Sequence, residues 1–386
     1  MDAPQHNPMG TDGFEFIEYT APDTQALGTL FRSLGFAPVA QHRSKDVTLY
    51  CQGDINFILN HEPHSFARAF ARVHGPSVCA FAIRVKDAAL AYERALALGA
   101  KPHHGDVGPM ELDIPAIRGI GGSVIYLVDR YGDRSIYDID FTELPTHEQS
   151  RGEPKEGGLR GERFASPGSF TASSPAGNLG FASLRSPGPG PAPGLTHIDH
   201  ITHNVHQGRM DHWAQFYERL FGFREIRFFD IHGEKTGLRS RALVSPCGKI
   251  RIPINEPTER ESQVEEYLDA YHGEGIQHIA LATNDIYVSV EALKKTVKFM
   301  PAPHTYYEVV DTRIPGHEED LARLERDGIL IDGRRGDLLL QIFTETLLGP
   351  IFFEIIQRKG NEGFGEGNFQ ALFEAIERDQ IARGVI

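Results

Sequence analysis

At 386 residues the chain is long enough for two ordinary domains, or for one large unit built from repeats, with a sizeable buried core. Its formal charge is -14, from 39 basic against 53 acidic side chains, and no Lys/Arg block could track a phosphate backbone, so nucleic acid and anionic membrane are poor partners. Cys51, Cys79 and Cys247 are too few and too scattered for a disulfide framework or a CxxC metal site, which fits a reducing cytoplasm.

The first residues, MDAPQHNPMGTDGF, lack the basic flank and apolar core of a signal peptide. Phe16 to Tyr19 reads as a strand, TQALGTLFRSLGF as a helix, and VTLYC and INFIL as short strands. VCAFAIRV begins a second unit, followed by the amphipathic helix AALAYERALALGA and by GGSVIYLVDR and SIYDIDF as paired strands. Between Arg151 and Leu195, Gly, Pro and Ser make up 23 of 45 residues. Such a stretch buries too little apolar surface to offset its ordering entropy and reads as a flexible linker between two halves.

After it, HIDHITHNV precedes MDHWAQFYERLFGF, then REIRFFD, RALVSP and IRIPIN. Last, IQHIALAT precedes IYVSVEALKKTVKF, then LLLQIFT and IFFEIIQ. LFGF at 220–223 repeats SLGF at 33–36, and IQHIALATNDI repeats VCAFAIRVKDA. The chain is therefore an α+β protein of four βαβββ modules, which cannot close a core singly and should pair into two open, curved half-barrels. The expected division is 1–150, a linker at 151–195, and 196–386.

Side chains on a strand alternate faces. His200 then shares a face with Ile198 and Thr202, while His197, Asp199, Ile201 and His203 take the other. In GIQHIALAT, His278 falls with Ile276, Ala280 and Ala282, and in IFFEIIQR, Glu354 falls with Phe352 and Ile356. A carboxylate in so apolar a strand is costly to bury unless a cation compensates it. Two histidines and a carboxylate from three strands match the facial triad of non-haem Fe(II) oxygenases, and could also hold zinc. The absence of HExxH argues against a metalloprotease. The aligned places in the first half are Glu18 and Ala80, so no metal is expected there. His103, His104, His203, His206, His212 and His272 are expected to be solvated.

The segments DHITHNV, RIPINEP, GEGIQHIAL, LLLQIFTETLLGPIFFEIIQ and RKGNEGFGEGNFQALFEAIERDQIARGVI strongly resemble those of the 4-hydroxyphenylpyruvate dioxygenase family, in the right order along almost the whole chain. The resemblance implies the vicinal oxygen chelate fold and Fe(II) held by His200, His278 and Glu354. It places polar pocket residues at Ser240, Asn255, Gln263, Gln277 and Gln341, and aromatic lining at Phe343, Phe352 and Phe364. Gln341 and Phe343 share a strand face, which suits a phenolic ring. Gln277 has opposite parity to His278 and should act from outside the ligand set. The glycines of GFGEGNF form a hinge, Asn368 caps a last helix that closes over the cleft and reaches the substrate, and Phe364 points at the site.

The family's chemistry, so implied, joins 4-hydroxyphenylpyruvate and O₂ to give homogentisate and CO₂, in a cytoplasmic enzyme that forms homodimers or tetramers. Two other readings remain open at this point: 4-hydroxymandelate synthase, which oxidises the benzylic carbon of the same substrate, and a non-catalytic ligand-binding protein of the same fold. An extradiol ring-cleaving dioxygenase lacks the FGEGNF tail.

Overall fold

The computed structural model describes residues 6–132, 134–145, 193–232, 237–259 and 262–372. The expected linker falls outside the described residues except for its last three positions, and so does most of the expected C-terminal helix.

Four modules follow one another. The first comprises β1 (Phe14–Thr20), α1 (Thr24–Ser33), β2 (Ala37–His42), β3 (Val47–Gln52) and β4 (Ile55–Asn60), and is followed by α2 (Phe66–His74). The second comprises β5 (Ser77–Arg84), α3 (Ala88–Ala97), β6 (Pro102–His103), β7 (Ala116–Arg118) and β8 (Val124–Val128), with α4 (Ile136–Asp140) and β9 (Phe141–Glu143) appended. The third comprises β10 (Leu195–Asn204), α5 (Met210–Phe221), β11 (Arg224–His232), β12 (Gly237–Val244) and β13 (Arg251–Pro257), followed by α6 (Gln263–Tyr271). The fourth runs through β14 (Gly275–Thr283), α7 (Ile286–Leu293) and the short helices α8 (His304–Tyr307), α9 (Val310–Arg313) and α10 (Leu321–Asp327). It ends with β15 (Leu330–Arg334), β16 (Asp337–Phe343) and β17 (Phe352–Lys359).

The modules pair into two mixed sheets, ordered β6-β7-β8-β5-β1-β4-β3-β2-β9 and β11-β12-β13-β10-β14-β17-β16-β15. In each sheet the first strands of two modules meet antiparallel at the centre, β1 with β5 and β10 with β14. Each also runs parallel to its own module's last strand. Helix α5 forms because Met210, Trp213, Ala214, Tyr217, Leu220 and Phe221 recur at helical spacing and all bury against the sheet. Gly222 ends it with φ of 73°, and its amide bonds back to the Glu218 carbonyl. This is the local reason for the LFGF signature.

One hydrophobic core runs through both halves. Phe57 of β4 meets Phe353 of β17 at 6.2 Å, and the His74 ring stacks on Tyr271 at 4.5 Å. The backbone also crosses: Asp54 N donates to Thr196 O at 2.6 Å, and Leu195 N to the Gln52 side chain at 3.2 Å. Odd-numbered residues of β17, Phe353 and Ile355, point into this core. Even-numbered Phe352, Glu354 and Ile356 therefore face the other side, the concave cup of the second sheet.

Two expectations fail here. SIYDIDF is not a strand throughout: Ser135 and Asp138 form a capping box that starts α4, and only Phe141 continues into β9. The helix expected at 286–299 stops at Leu293, and three short helices carry the chain to β15.

Candidate metal centre and substrate cup

Three central strands bring His200, His278 and Glu354 together. Ala280 of β14 pairs with both His200 of β10 and Glu354 of β17, and one candidate ligand atom from each residue lies within 4.8 Å of the others. Among the described residues no other His, Cys, Asp or Glu cluster of this kind occurs. Glu354 Oε2 lies 3.2 Å from His200 Nε2 and 3.4 Å from His278 Nε2, and all three side chains are buried. Glu354 Oε1 is buried with no hydrogen-bond partner, a costly state that a cation would relieve. The residues present thus fit a divalent metal, on donor chemistry and on this orphaned oxygen.

The electrostatics agree. Burial works to raise the Glu354 carboxyl, but His200 and His278 outweigh it and hold it below its ordinary value. Burial lowers His278. For His200 burial acts downward too, but Glu354 and Asp199 raise it overall.

Each imidazole is oriented by the residue just before it. His200 Nδ1 bonds Asp199 Oδ1 at 2.8 Å, and His278 Nδ1 bonds Gln277 Oε1 at 3.0 Å. This directs both Nε2 atoms at Glu354. Strict alternation would place neither neighbour there. The pairing of β10 with β14 shifts between Ile198 and His200 and again between Thr202 and His203, so Asp199 and Gln277 occupy β-bulges. Several face assignments change as a result. Ile198 joins Ile201 in the main core rather than sharing His200's face, and Ile276 does likewise rather than sharing His278's. Asp199 turns toward His200.

His203 is wholly buried, not solvated. Its Nε2 lies 2.7 Å from the Tyr217 hydroxyl, and burial pushes its pKa down to about 3. His103 is also buried, in β6 beside the Phe66 ring, with burial lowering it to about 4. His104, His206, His212 and His272 are exposed as expected, and His197 is exposed too.

Aromatic rings wall the cup. Phe352 stacks on His278 at 4.8 Å, Phe364 meets His200 edge-on at 5.3 Å, and Phe343 stands 6.2 Å from His278 and 6.0 Å from Phe352. Gln341 is buried on the cup face of β16, its Oε1 without a partner. Ser240, Asn255 and Asn204 occupy one register row across β12, β13 and β10, and Asn255 Nδ2 donates to Asn204 Oδ1 at 3.3 Å. Gln263 is not enclosed with them: it is exposed at the first position of α6.

The segment after β17 lies over this cup. Gly365 has φ of 79°, and a Cβ there would come within 2.0 Å of Gln341 Oε1, so only glycine permits this approach. Asn368 does not cap the last helix. The helix starts at 366 behind Gly365, whose carbonyl accepts from Asn368 N, while Asn368 Oδ1 accepts from the Tyr306 hydroxyl at 2.6 Å and from Arg313 at 3.3 Å. Asn368 therefore ties this segment to α8 and α9.

Sequence reasoning missed Asp199, Arg251, Arg358, Thr202 and Asn204. Thr202 Oγ1 lies 3.0 Å from His278 Nε2, and Asn204 is fully buried with its Nδ2 unpartnered. Arg358 carried a usable signal, since it shares the parity of Phe352, Glu354 and Ile356.

The paired βαβββ sheets with a buried His-His-Glu cluster define a metal-binding protein of the glyoxalase class. Residues 177–310 match the family model described as the glyoxalase, bleomycin resistance protein and dioxygenase superfamily, and residues 5–142 match the N-terminal model of hydroxyphenylpyruvate dioxygenase. The chain is 55% identical to 4-hydroxyphenylpyruvate dioxygenase of Pseudomonas aeruginosa, over 99% of this chain and 98% of that one. It is 48% identical to the Legionella pneumophila enzyme of the same name, over 99% and 98%, and 55% identical to hemolysin VllY of Vibrio vulnificus, over 98% of each. Among solved structures, a TIM-barrel/4-hydroxyphenylpyruvate dioxygenase fusion protein matches with a TM-score of 0.72 and 33% identity, over 97% of this chain and 54% of that one. A mutant 4-hydroxymandelate synthase from Streptomyces coelicolor shares the fold, with a TM-score of 0.74 and 23% identity, over 96% and 100%. The chain belongs to the 4-hydroxyphenylpyruvate dioxygenase family.

Proposed function

We propose that this chain is a non-haem Fe(II) dioxygenase that converts 4-hydroxyphenylpyruvate and O₂ to homogentisate and CO₂. The observation that carries the metal reading is the buried His200, His278 and Glu354 cluster with the orphaned Glu354 Oε1. Two imidazoles and one carboxylate leave open positions, the arrangement suited to ferrous iron with a chelating 2-oxo acid and O₂. Bound iron supplies the binding and reduction of O₂. The reaction balances without a second co-substrate: one oxygen atom enters the new carboxylate as CO₂ leaves, and the other enters the ring.

The chain's own residues orient the substrate and exclude water. Phe352 fixes the His278 ring by stacking on it, while Phe343 and Phe364 form the walls between which an aromatic ring fits. Gln341 Oε1, a buried acceptor without a partner, suits a phenol hydroxyl donor. Ser240, Asn255 and Asn204 offer further polar contacts along their shared row. Gln277 acts on substrate only through His278, and Gln263 joins the site only if α6 moves inward. Asn368 serves through the seating of the closing segment. A cytoplasmic location fits Cys51, Cys79 and Cys247, none of which forms a disulfide. Incubation with Fe(II), O₂ and 4-hydroxyphenylpyruvate should yield homogentisate; 4-hydroxymandelate as the product would overturn the ring-hydroxylation reading while keeping the metal centre.

A further inference from the structure

Asp199 is a hub between a metal ligand and the segment that covers the cup. On one side its Oδ1 holds His200 Nδ1 at 2.8 Å. On the other, Arg358 grips both its oxygens, Nη2 to Oδ1 at 2.8 Å and Nε to Oδ2 at 2.7 Å. The same guanidinium uses Nη1 to donate to the carbonyls of Asn361 at 3.0 Å and Gly363 at 2.7 Å, and it lies over the Phe364 ring at 5.7 Å. A second arginine repeats the link: Arg251 Nη1 stands 3.8 Å from Asp199 Oδ2 while its Nη2 pairs with Glu362. Asp199 is 1% exposed, so its charge depends on these two cations. Phe364, at the end of the gripped stretch, packs on His200 itself.

We infer that Asp199 and Arg358 are positioning residues that couple metal binding at His200 to the seating of residues 361–369 over the cup. The inference rests on the metal reading above. One carboxylate fixes the ring of His200, and the forked, planar guanidinium that fixes this carboxylate also holds the backbone turn leading to Phe364. An imidazole held in place by metal fixes Asp199, Asp199 fixes Arg358, and the turn at 361–363 is thereby ordered. Coupling of this kind is reciprocal, so a seated segment strengthens metal binding by the same factor. Lysine at 358 keeps the charge but cannot bond Asp199 and two carbonyls at once in this geometry.

The experiment is hydrogen exchange of the amides at 363–369 in the full chain, without metal and with Fe(II) under anaerobic conditions. Fe(II) loading should slow exchange there by roughly tenfold, in line with ordinary coupling strengths. Arg358→Lys should lose most of that metal-dependent slowing and should bind Fe(II) more weakly by a similar factor. Simple loss of fold stability would instead speed exchange equally with and without metal. Should Arg358→Lys not fold, Glu362→Gln, whose carboxylate is largely exposed, removes the second arm and should reduce the slowing in part. A chain that takes up no metal removes the ground of both readings. A chain that binds metal while its segment exchanges at the same rate in both states, or whose variants keep the full slowing, overturns the coupling alone.

Discussion

The two sheets share one topology but only one carries the triad. Glu18 of β1 stands opposite Ala80 of β5 just as Thr202 of β10 stands opposite His278 of β14, and in both pairs the register shifts at the next residue. From there they part: Phe16, Ala80 and Tyr126 stand where His200, His278 and Glu354 stand, and the Phe16 and Tyr126 rings pack together at 5.6 Å. The sequence repeat had aligned Ala80 with His278, and the strand pairing agrees; it moves the counterpart of Glu18 from His200 to Thr202. Glu18 is a buried carboxyl whose pKa burial raises, held by Asn60 Nδ2 at 2.7 Å. At Glu18 burial outweighs the amide's donated hydrogen bond and raises the carboxyl, whereas at Glu354 the two imidazoles outweigh burial and hold it below its ordinary value, which suits a cation. The same scaffold thus serves packing in one half and chemistry in the other, and the residues at three equivalent strand positions decide which.

Breaking that contrast gives the largest expected effect. Glu354→Ala should abolish turnover, read as O₂ uptake with 4-hydroxyphenylpyruvate, while Glu18→Gln should retain it; full activity in the first variant would sink the triad assignment. A smaller effect follows from removing residues 363–386, which takes Phe364 off the cup. CO₂ release should then exceed homogentisate formation, and a ratio that stays at one would remove the closing segment from the account.

The smallest effect concerns His203, which sets the two central pairs apart in their cores. Its ring stays neutral in the fold down to about pH 3, while the unfolded chain takes up that proton near a pKa of about 6.5. The unfolded state therefore binds the extra proton, and this part of stability is present above about pH 6.5 and is lost as pH falls toward 3. Urea unfolding across that range should show a slope for His203→Gln shallower by up to about 1.4 kcal/mol per pH unit. An unchanged slope would place the proton elsewhere.

Much of the cup was legible because β16 and β17 are regular. Gln341, Phe343, Phe352 and Glu354 fall where alternation puts them, on the face away from the core. Alternation failed at Asp199 and Gln277, where one extra residue in a strand turns a side chain meant for the far face toward the ligand beside it. Nothing in a periodicity argument marks a bulge in advance. The role of Arg358 depends on a turn 5 residues further on, at Gly363, and the tether at Asn368 on helices that no repeat signature announced. His203 looked solvated only because its strand was read as having a wet side; α5 covers it through Tyr217.

Equilibrium dialysis of the metal-free chain against Fe(II) without O₂ tests the central claim most directly. One iron per chain is expected in the unaltered protein and in Glu18→Gln, with none retained by His278→Ala. Iron kept by His278→Ala, or lost in Glu18→Gln, would contradict the assignment of the metal to the second sheet.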